Sequence, residues 1–75
     1  MTQTILRYLR GAVFEPHDIE AMSTALEDVC AILKIPTDAA EARRPIAARI
    51  IELTQQGEHS TSVLRERLLA EKRAS

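Results

Sequence analysis

The two imidazoles of the chain, His17 and His59, are its first candidates for chemistry. His17 and Glu20 stand three residues apart, so on a helix they could offer two ligands to a metal ion. A protein metal site normally takes at least three protein ligands, and no second His or Cys has a matching spacing. The sequence therefore predicts no metal site, with His17 exposed in a first helical turn and His59 in a loop.

The single cysteine, Cys30, is the second candidate, because a thiolate can act as a nucleophile. It falls in the C-terminal part of a predicted helix, where the helix dipole disfavours a thiolate. Its neighbours Val29, Ala31 and Ile32 are apolar, which favours a buried structural thiol. A lone cysteine forms no intramolecular disulfide, and this is typical of a reducing, cytoplasmic compartment.

Carboxylates are the third candidate, since paired acids can perform general acid–base catalysis in a desolvated cleft. The acids of the first half are Glu15, Asp18, Glu20, Glu27 and Asp28. Most of them lie off the apolar stripe of the predicted helix, which indicates a solvated face. The chain has only two glycines, Gly11 and Gly57, too far apart for a phosphate-binding loop. We therefore expect no enzyme activity, no catalytic residue and no cofactor.

Length and composition limit the elements that could position such residues. A chain of 75 residues with 45% hydrophobic residues and a net charge of −1 predicts one domain, residues 1–75, with one small core. The absence of Trp makes that core aliphatic. The chain contains no run of about 18 apolar residues, so the sequence predicts no membrane-spanning segment. Arg7 and Arg10 interrupt the N-terminal apolar run, so we expect no signal peptide.

The first predicted helix covers residues 16–34. Pro16 suits a helix start, and Phe14 before it could pack against the first turn. Pro36 ends the pattern, because the residue before a proline disfavours helical geometry. The apolar stripe is Ile19, Met22, Leu26, Val29 and Leu33, widened by Ala25, Cys30 and Ile32.

The second predicted helix contains a proline, Pro45, which removes a backbone hydrogen bond. We read a short piece over residues 38–43, opened by an Asp38–Glu41 capping box, and a main piece over 45–56. A continuous kinked helix is the alternative. Gly57 supplies a left-handed stop. The buried stripe comprises Ile46, Ala47, Ile50, Ile51, Leu53 and Thr54.

The third predicted helix begins after Ser60 or Thr61, both good N-caps, and frays over about residues 72–75. Its inward residues are predicted to be Val63, Leu64, Leu68 and Leu69. The fold prediction is an all-α, compact three-helix bundle whose short connections make sequential helices antiparallel. A short N-terminal segment over residues 1–13 completes it, either as a fourth short helix or as extended chain.

Three motifs carry a family likeness: Phe14-Glu15-Pro16, then the Ala-x-Arg-Ile-Ile-x-Leu run over residues 47–53, then Gly57-Glu58. Together they resemble a group of small alphaproteobacterial all-helical proteins of unknown function, over residues 14–69. In that group the Gly-Glu turn often continues Arg-Asp-Pro, whereas His59-Ser60-Thr61 follows here. The resemblance implies a helical fold and no activity or site residue, because its motifs are caps and core positions.

The sequence allows two binding functions, of which DNA binding is one. The helices around Gly57 could form a DNA-binding unit with the basic residues Arg43, Arg44, Arg49, Arg65, Arg67, Lys72 and Arg73. Acidic residues dilute that surface, and the last helix lacks Asn or Gln for reading bases. DNA binding is therefore the alternative rather than the prediction.

The favoured function is a regulatory or protein–protein interaction module that self-associates. The first helix has four acids and one base, and the last helix is slightly basic. Apolar residues also exceed what one narrow stripe per helix can bury, and such a surplus is typical of an interface. The surplus residues are Ile5, Leu6, Leu9, Val13, Ile32, Ile35 and Leu69. This interpretation predicts that the protein is cytoplasmic and either forms a homo-oligomer or binds another protein.

Overall fold

The computed structural model describes residues 14–74, which form an all-α three-helix bundle. Helix α1 spans Pro16–Ile32, α2 spans Ala40–Gln55 and α3 spans Thr61–Ala74. The prediction of a three-helix bundle is therefore confirmed. The prediction for residues 1–13 lies outside the described residues. Within residues 14–74, no helix combines the length and the apolar character that crossing a membrane requires.

Helix α1 begins at Pro16, as predicted, but it ends at Ile32 rather than at residue 34. Lys34 adopts a left-handed backbone with φ of 60°. Its N–H donates to the Ala31 carbonyl over 3.2 Å, and the Ile35 N–H donates to the Cys30 carbonyl over 2.8 Å. These two bonds are a Schellman motif, with a lysine at the position that usually holds glycine. The left-handed residue ends the helix before Pro36 can.

Helix α2 is one continuous helix through Pro45, so the prediction of two separate pieces is wrong and the continuous alternative is observed. Pro45 lies in the second turn, where its missing N–H costs one hydrogen bond. The nearby residues Arg43 and Ile46 are both buried, so packing against the bundle continues on either side of the proline. The predicted Asp38–Glu41 capping box is also wrong, because the N-cap is Ala39 and no side chain caps the helix.

The end of α2 confirms the predicted glycine stop. Gly57 has φ of 109°, its N–H donates to the Thr54 carbonyl, and the Glu58 N–H donates to the Leu53 carbonyl, both over 3.0 Å. This is a second Schellman motif. The Leu64 N–H then donates to the Ser60 carbonyl over 3.0 Å, so Ser60 immediately precedes α3.

All three helices contribute aliphatic side chains to one core. Its buried members are Met22, Ala25, Leu26, Val29, Cys30, Ile46, Ala47, Ile50, Leu53, Leu64, Leu68 and Leu69. Most of the predicted stripes are confirmed, with Ile19, Leu33 and Ile51 half-buried at the edges. Phe14 packs against this core, as expected for an apolar residue before the N-cap.

Two predicted core positions are wrong. Val63 is 37% exposed, because it lies on the side of α3 opposite the buried leucines. Ile32 is 55% exposed, because α1 ends at this residue and the stripe does not continue beneath it. Leu69 and Ile35, counted in the apolar surplus, instead pack into or against the core.

Side-chain contacts between helices fix their directions. Asp18 and Ala21 of α1 contact His59 and Thr61, and Asp28 further along α1 contacts Arg65, so α1 and α3 run parallel. Arg43, near the start of α2, contacts Glu27, near the end of α1, so these two helices are antiparallel. The bundle is therefore up-down-up, as short connections predict.

The left-handed lysine gives a stability test. We expect Lys34→Gly to raise the free energy of unfolding by about 0.5–1 kcal/mol, because glycine removes the steric cost of a Cβ at positive φ and loses part of that gain to unfolded-chain entropy. Lys34→Ala keeps the Cβ and is the matched control, for which we expect no gain. Urea unfolding monitored by circular dichroism measures both. Equal gains for the two variants would contradict a steric origin of the effect.

Candidate functional site

The most unusual polar residue of the bundle is Arg43, which is 2% exposed. Its Nη1 donates to the Thr37 carbonyl over 3.0 Å, and its Nη2 donates to Glu27 over 3.2 Å. The Nε is buried without a hydrogen-bond partner. Burial disfavours the charged form, but the hydrogen bond to Glu27 and the nearby charges together more than offset this, so the pKa of Arg43 is raised. The guanidinium therefore stays charged inside the bundle.

Sequence reasoning missed this burial and grouped Arg43 with the basic residues of a possible DNA-binding surface. A signal was present: Arg43 is three residues before Ile46 and seven before Ile50, which places it on the buried stripe of α2. An arginine in that position needs an acidic partner from another element. Only the antiparallel packing of α1 and α2 supplies Glu27.

Cys30 is buried beside Arg43, as the sequence predicts for a structural thiol. Burial raises the pKa of the Cys30 thiol, and the adjacent guanidinium of Arg43 only partly opposes that effect. A thiol that is buried and predominantly protonated is a poor nucleophile. The geometry therefore gives Cys30 a packing role next to the Arg43–Glu27 ion pair.

A second polar cluster lies at the other end of α1, around Asp18, which is 6% exposed. His59 Nδ1 lies 2.9 Å from Asp18 Oδ1, and His17 Nε2 lies 3.3 Å from the same oxygen. The other ring nitrogen of His17 lies 3.4 Å from Glu15. Both rings are exposed, as predicted, but the structure brings together two imidazoles that the sequence places 42 residues apart. Among the described residues, the possible ligand atoms of Glu15, His17 and Asp18 all lie within 4.8 Å of one another, and neither Glu20, considered as a partner of His17, nor His59 belongs to that group.

Besides Arg43, four of the seven basic residues proposed for a DNA-reading surface form ion pairs within the bundle. Arg65 contacts Asp28, Arg67 contacts Glu58, and Arg44 contacts Glu41. Arg49 donates to both carboxylate oxygens of Glu71 and to Glu52. These hydrogen bonds raise the pKa of Arg49 and lower the pKa of Glu71. These pairs offset part of the positive charge that binding to duplex DNA would use.

The outer face of α3 is the candidate interface. Leu64, Leu68 and Leu69 point to the core, which leaves the opposite side of the helix to solvent. That side forms a shallow depression of about 410 Å³ lined by Ser62, Val63, Glu66, Arg67 and Ala70. Its members Val63, Glu66, Arg67 and Ala70 follow the i, i+3, i+4, i+7 pattern of a helix face that receives another helix.

Comparisons with protein-family models, curated proteins and solved structures found no match to this chain. The resemblance carried by the Phe-x-Pro, Ala-x-Arg-Ile-Ile-x-Leu and Gly-Glu motifs therefore stays a prediction. Function is inferred from the geometry of the buried Arg43, the Asp18 cluster and the outer face of α3.

The ion pair between Arg43 and Glu27 gives a coupling test. We expect Glu27→Gln to lower the free energy of unfolding by about 1–2 kcal/mol, because it removes the charge that compensates a buried guanidinium. The same change should cost less in an Arg43→Met background, where no buried charge remains. Urea unfolding of wild type, the two single variants and the double variant measures the coupling energy between Arg43 and Glu27. Glu41→Gln, which alters an exposed pair, is the control and should stay within about 0.5 kcal/mol of wild type. Additive effects of the two substitutions would contradict a stabilising pair.

The raised pKa of Cys30 predicts loss of stability at alkaline pH. Below the ordinary thiol pKa of about 8.5, both the folded and the unfolded chain keep the thiol proton, so the stabilising contribution of Cys30 is fully present. As pH rises further, the unfolded chain ionises more readily than the folded one, so stability falls. We expect the free energy of unfolding to fall more between about pH 7.5 and about pH 9.5, chosen to bracket this window, in wild type than in Cys30→Ala. Parallel pH profiles would contradict the prediction.

Proposed function

We propose that this protein is a non-enzymatic interaction module of the cytoplasm that associates with a second copy of itself through the outer face of α3. The observation that carries the proposal is the arrangement of Val63, Glu66, Arg67 and Ala70 along that face. The face offers apolar contact area at its ends and one acid and one base in the middle. A free cysteine fits a reducing compartment.

The pattern on this face is self-complementary. In a two-fold dimer of antiparallel α3 helices, an axis between positions 66 and 67 places each residue opposite the one equally far from the axis. Val63 then faces Ala70 of the second copy, and Glu66 faces Arg67. Apolar groups meet apolar groups and opposite charges meet, which an isologous interface requires. Arg67 can take part, because its side chain is 54% exposed despite its contact with Glu58.

The alternative, DNA binding through the helices around Gly57, has weaker support. Arg65, Arg67 and Arg49 contact acids of this chain, and Arg43 is buried. A phosphate backbone would have to displace those carboxylates before it could use the guanidinium groups. The apolar positions Val63 and Ala70 on the outer face of α3 need no such rearrangement to receive a helix.

Sedimentation equilibrium at micromolar concentration tests the self-association. We expect wild type to show a mass above the 8.4 kDa of one chain, with the dimer fraction rising with concentration. Val63→Lys should shift the equilibrium to monomer, because it places a charge in the apolar part of the face. Gln55→Lys, an exposed change on α2, is the matched control. A wild-type monomer across the whole range would overturn the proposal.

A charge swap tests whether the outer face of α3, rather than another surface, joins the two copies. Glu66→Arg or Arg67→Glu alone places like charges opposite each other and should weaken the dimer. The double variant, Glu66→Arg with Arg67→Glu, restores opposite charges and should recover association relative to either single variant. Failure of the double variant to recover would reject this interface even if wild type self-associates.

A further inference from the structure

We infer that Glu58 weakens self-association, because in the free protein it holds Arg67, which the proposed dimer uses to contact Glu66 of the second copy. Arg67 Nη2 donates to Glu58 Oε2 over 3.3 Å. Glu58 is thus an intrachain competitor of the second copy for one guanidinium. This inference rests on the proposed function, since it names a residue that sets the affinity of the same face.

The direction of the Arg67 side chain explains the contact. Side chains on a helix point back toward its N-terminus, so Arg67 extends toward the connection that precedes α3. Glu58 lies in that connection, nine residues earlier in the chain. Its backbone N–H donates to the Leu53 carbonyl over 3.0 Å, in the Schellman motif that ends α2. The end of α2 therefore fixes the backbone of Glu58 beside α3, where its carboxylate meets Arg67.

The Arg67 guanidinium can change partners because this ion pair is open to solvent. The side chain of Arg67 is 54% exposed and that of Glu58 is 32% exposed. An ion pair this exposed contributes little free energy, so little is lost when it separates. The pair between Arg43 and Glu27 is different, because the Arg43 side chain is only 3% exposed and a buried guanidinium needs its partner.

The acids near Arg67 have different partners. Both carboxylate oxygens of Glu71, four residues after Arg67, accept hydrogen bonds from Arg49. Those hydrogen bonds are the largest cause of the lowered pKa of Glu71, and the charge of Arg67 adds a smaller effect. Glu58 is instead held by Arg67, which must leave it or share it when the second copy presents its Glu66. A guanidinium that already has one carboxylate beside it gains less from another, so Glu58 lowers the affinity of the dimer.

Sedimentation equilibrium of the full chain with Glu58→Gln tests this competition. We expect the dimer dissociation constant to fall about two- to tenfold relative to wild type, since one exposed ion pair is released in each copy. Glu41→Gln is the matched control, because it removes the same charge from an exposed pair near the start of α2 and should leave the constant unchanged. In an Arg67→Gln background, Glu58→Gln should give no tightening, because no guanidinium remains to be released.

The outcomes separate the role of Glu58 from self-association itself. A wild-type dimer that Glu58→Gln leaves unchanged or weakens would overturn the competition while the dimer stands. Tightening that Val63→Lys does not reverse would also overturn it, since the association would then use another surface. If wild type and Glu58→Gln both remain monomeric across the concentration range, the proposed dimer is rejected and the inference with it. Circular dichroism of each variant verifies that the helices remain formed.

Discussion

A buried guanidinium fixes how the first two helices of this small bundle meet. Arg43 donates to Glu27 of α1 and to the Thr37 carbonyl in the connection between the helices. A charge taken out of water needs those partners in place, so any other register of α1 against α2 would leave it uncompensated. The same contacts hold the start of α2 to the bundle and support a helix that continues through Pro45.

Other ion pairs also join one helix to another. Arg65 with Asp28 joins α3 to α1, and Arg49 with Glu71 joins α2 to α3. Exposed pairs of this kind contribute little free energy each, so the shared aliphatic core mainly determines which faces of the helices meet. The outer face of α3, with Val63, Glu66, Arg67 and Ala70, is exposed, and this is the face through which we propose that a second copy binds.

The two ends of α1 serve different purposes. At its C-terminal end, Cys30 and Arg43 lie in the interior beside one another, and burial raises the pKa of the thiol. At its N-terminal end, Asp18 is nearly buried but faces two exposed imidazoles. The two clusters differ in solvent access, because the first is enclosed in the interior whereas both imidazoles of the second are more than half exposed.

The sequence by itself determined the helices and most of the core. Periodic apolar residues located Met22, Leu26 and Ile50 in the interior, because helix geometry repeats them on one side. Gly57 stopped α2 because positive φ suits a residue without a Cβ. These are local effects, which depend on neighbours a few residues away.

Only the tertiary structure decided where α1 ends, how α2 passes Pro45, and which charges and imidazoles meet. Lys34 adopts a left-handed backbone that its residue type does not indicate. Arg43 accepts burial because Glu27, 16 residues away in sequence, pairs with it. His59 reaches Asp18, which also contacts His17, because α1 and α3 pack in parallel, and no local sequence pattern predicts this packing. Contacts between residues as far apart as Asp18 and His59 come from packing, and spacing along the chain does not encode them.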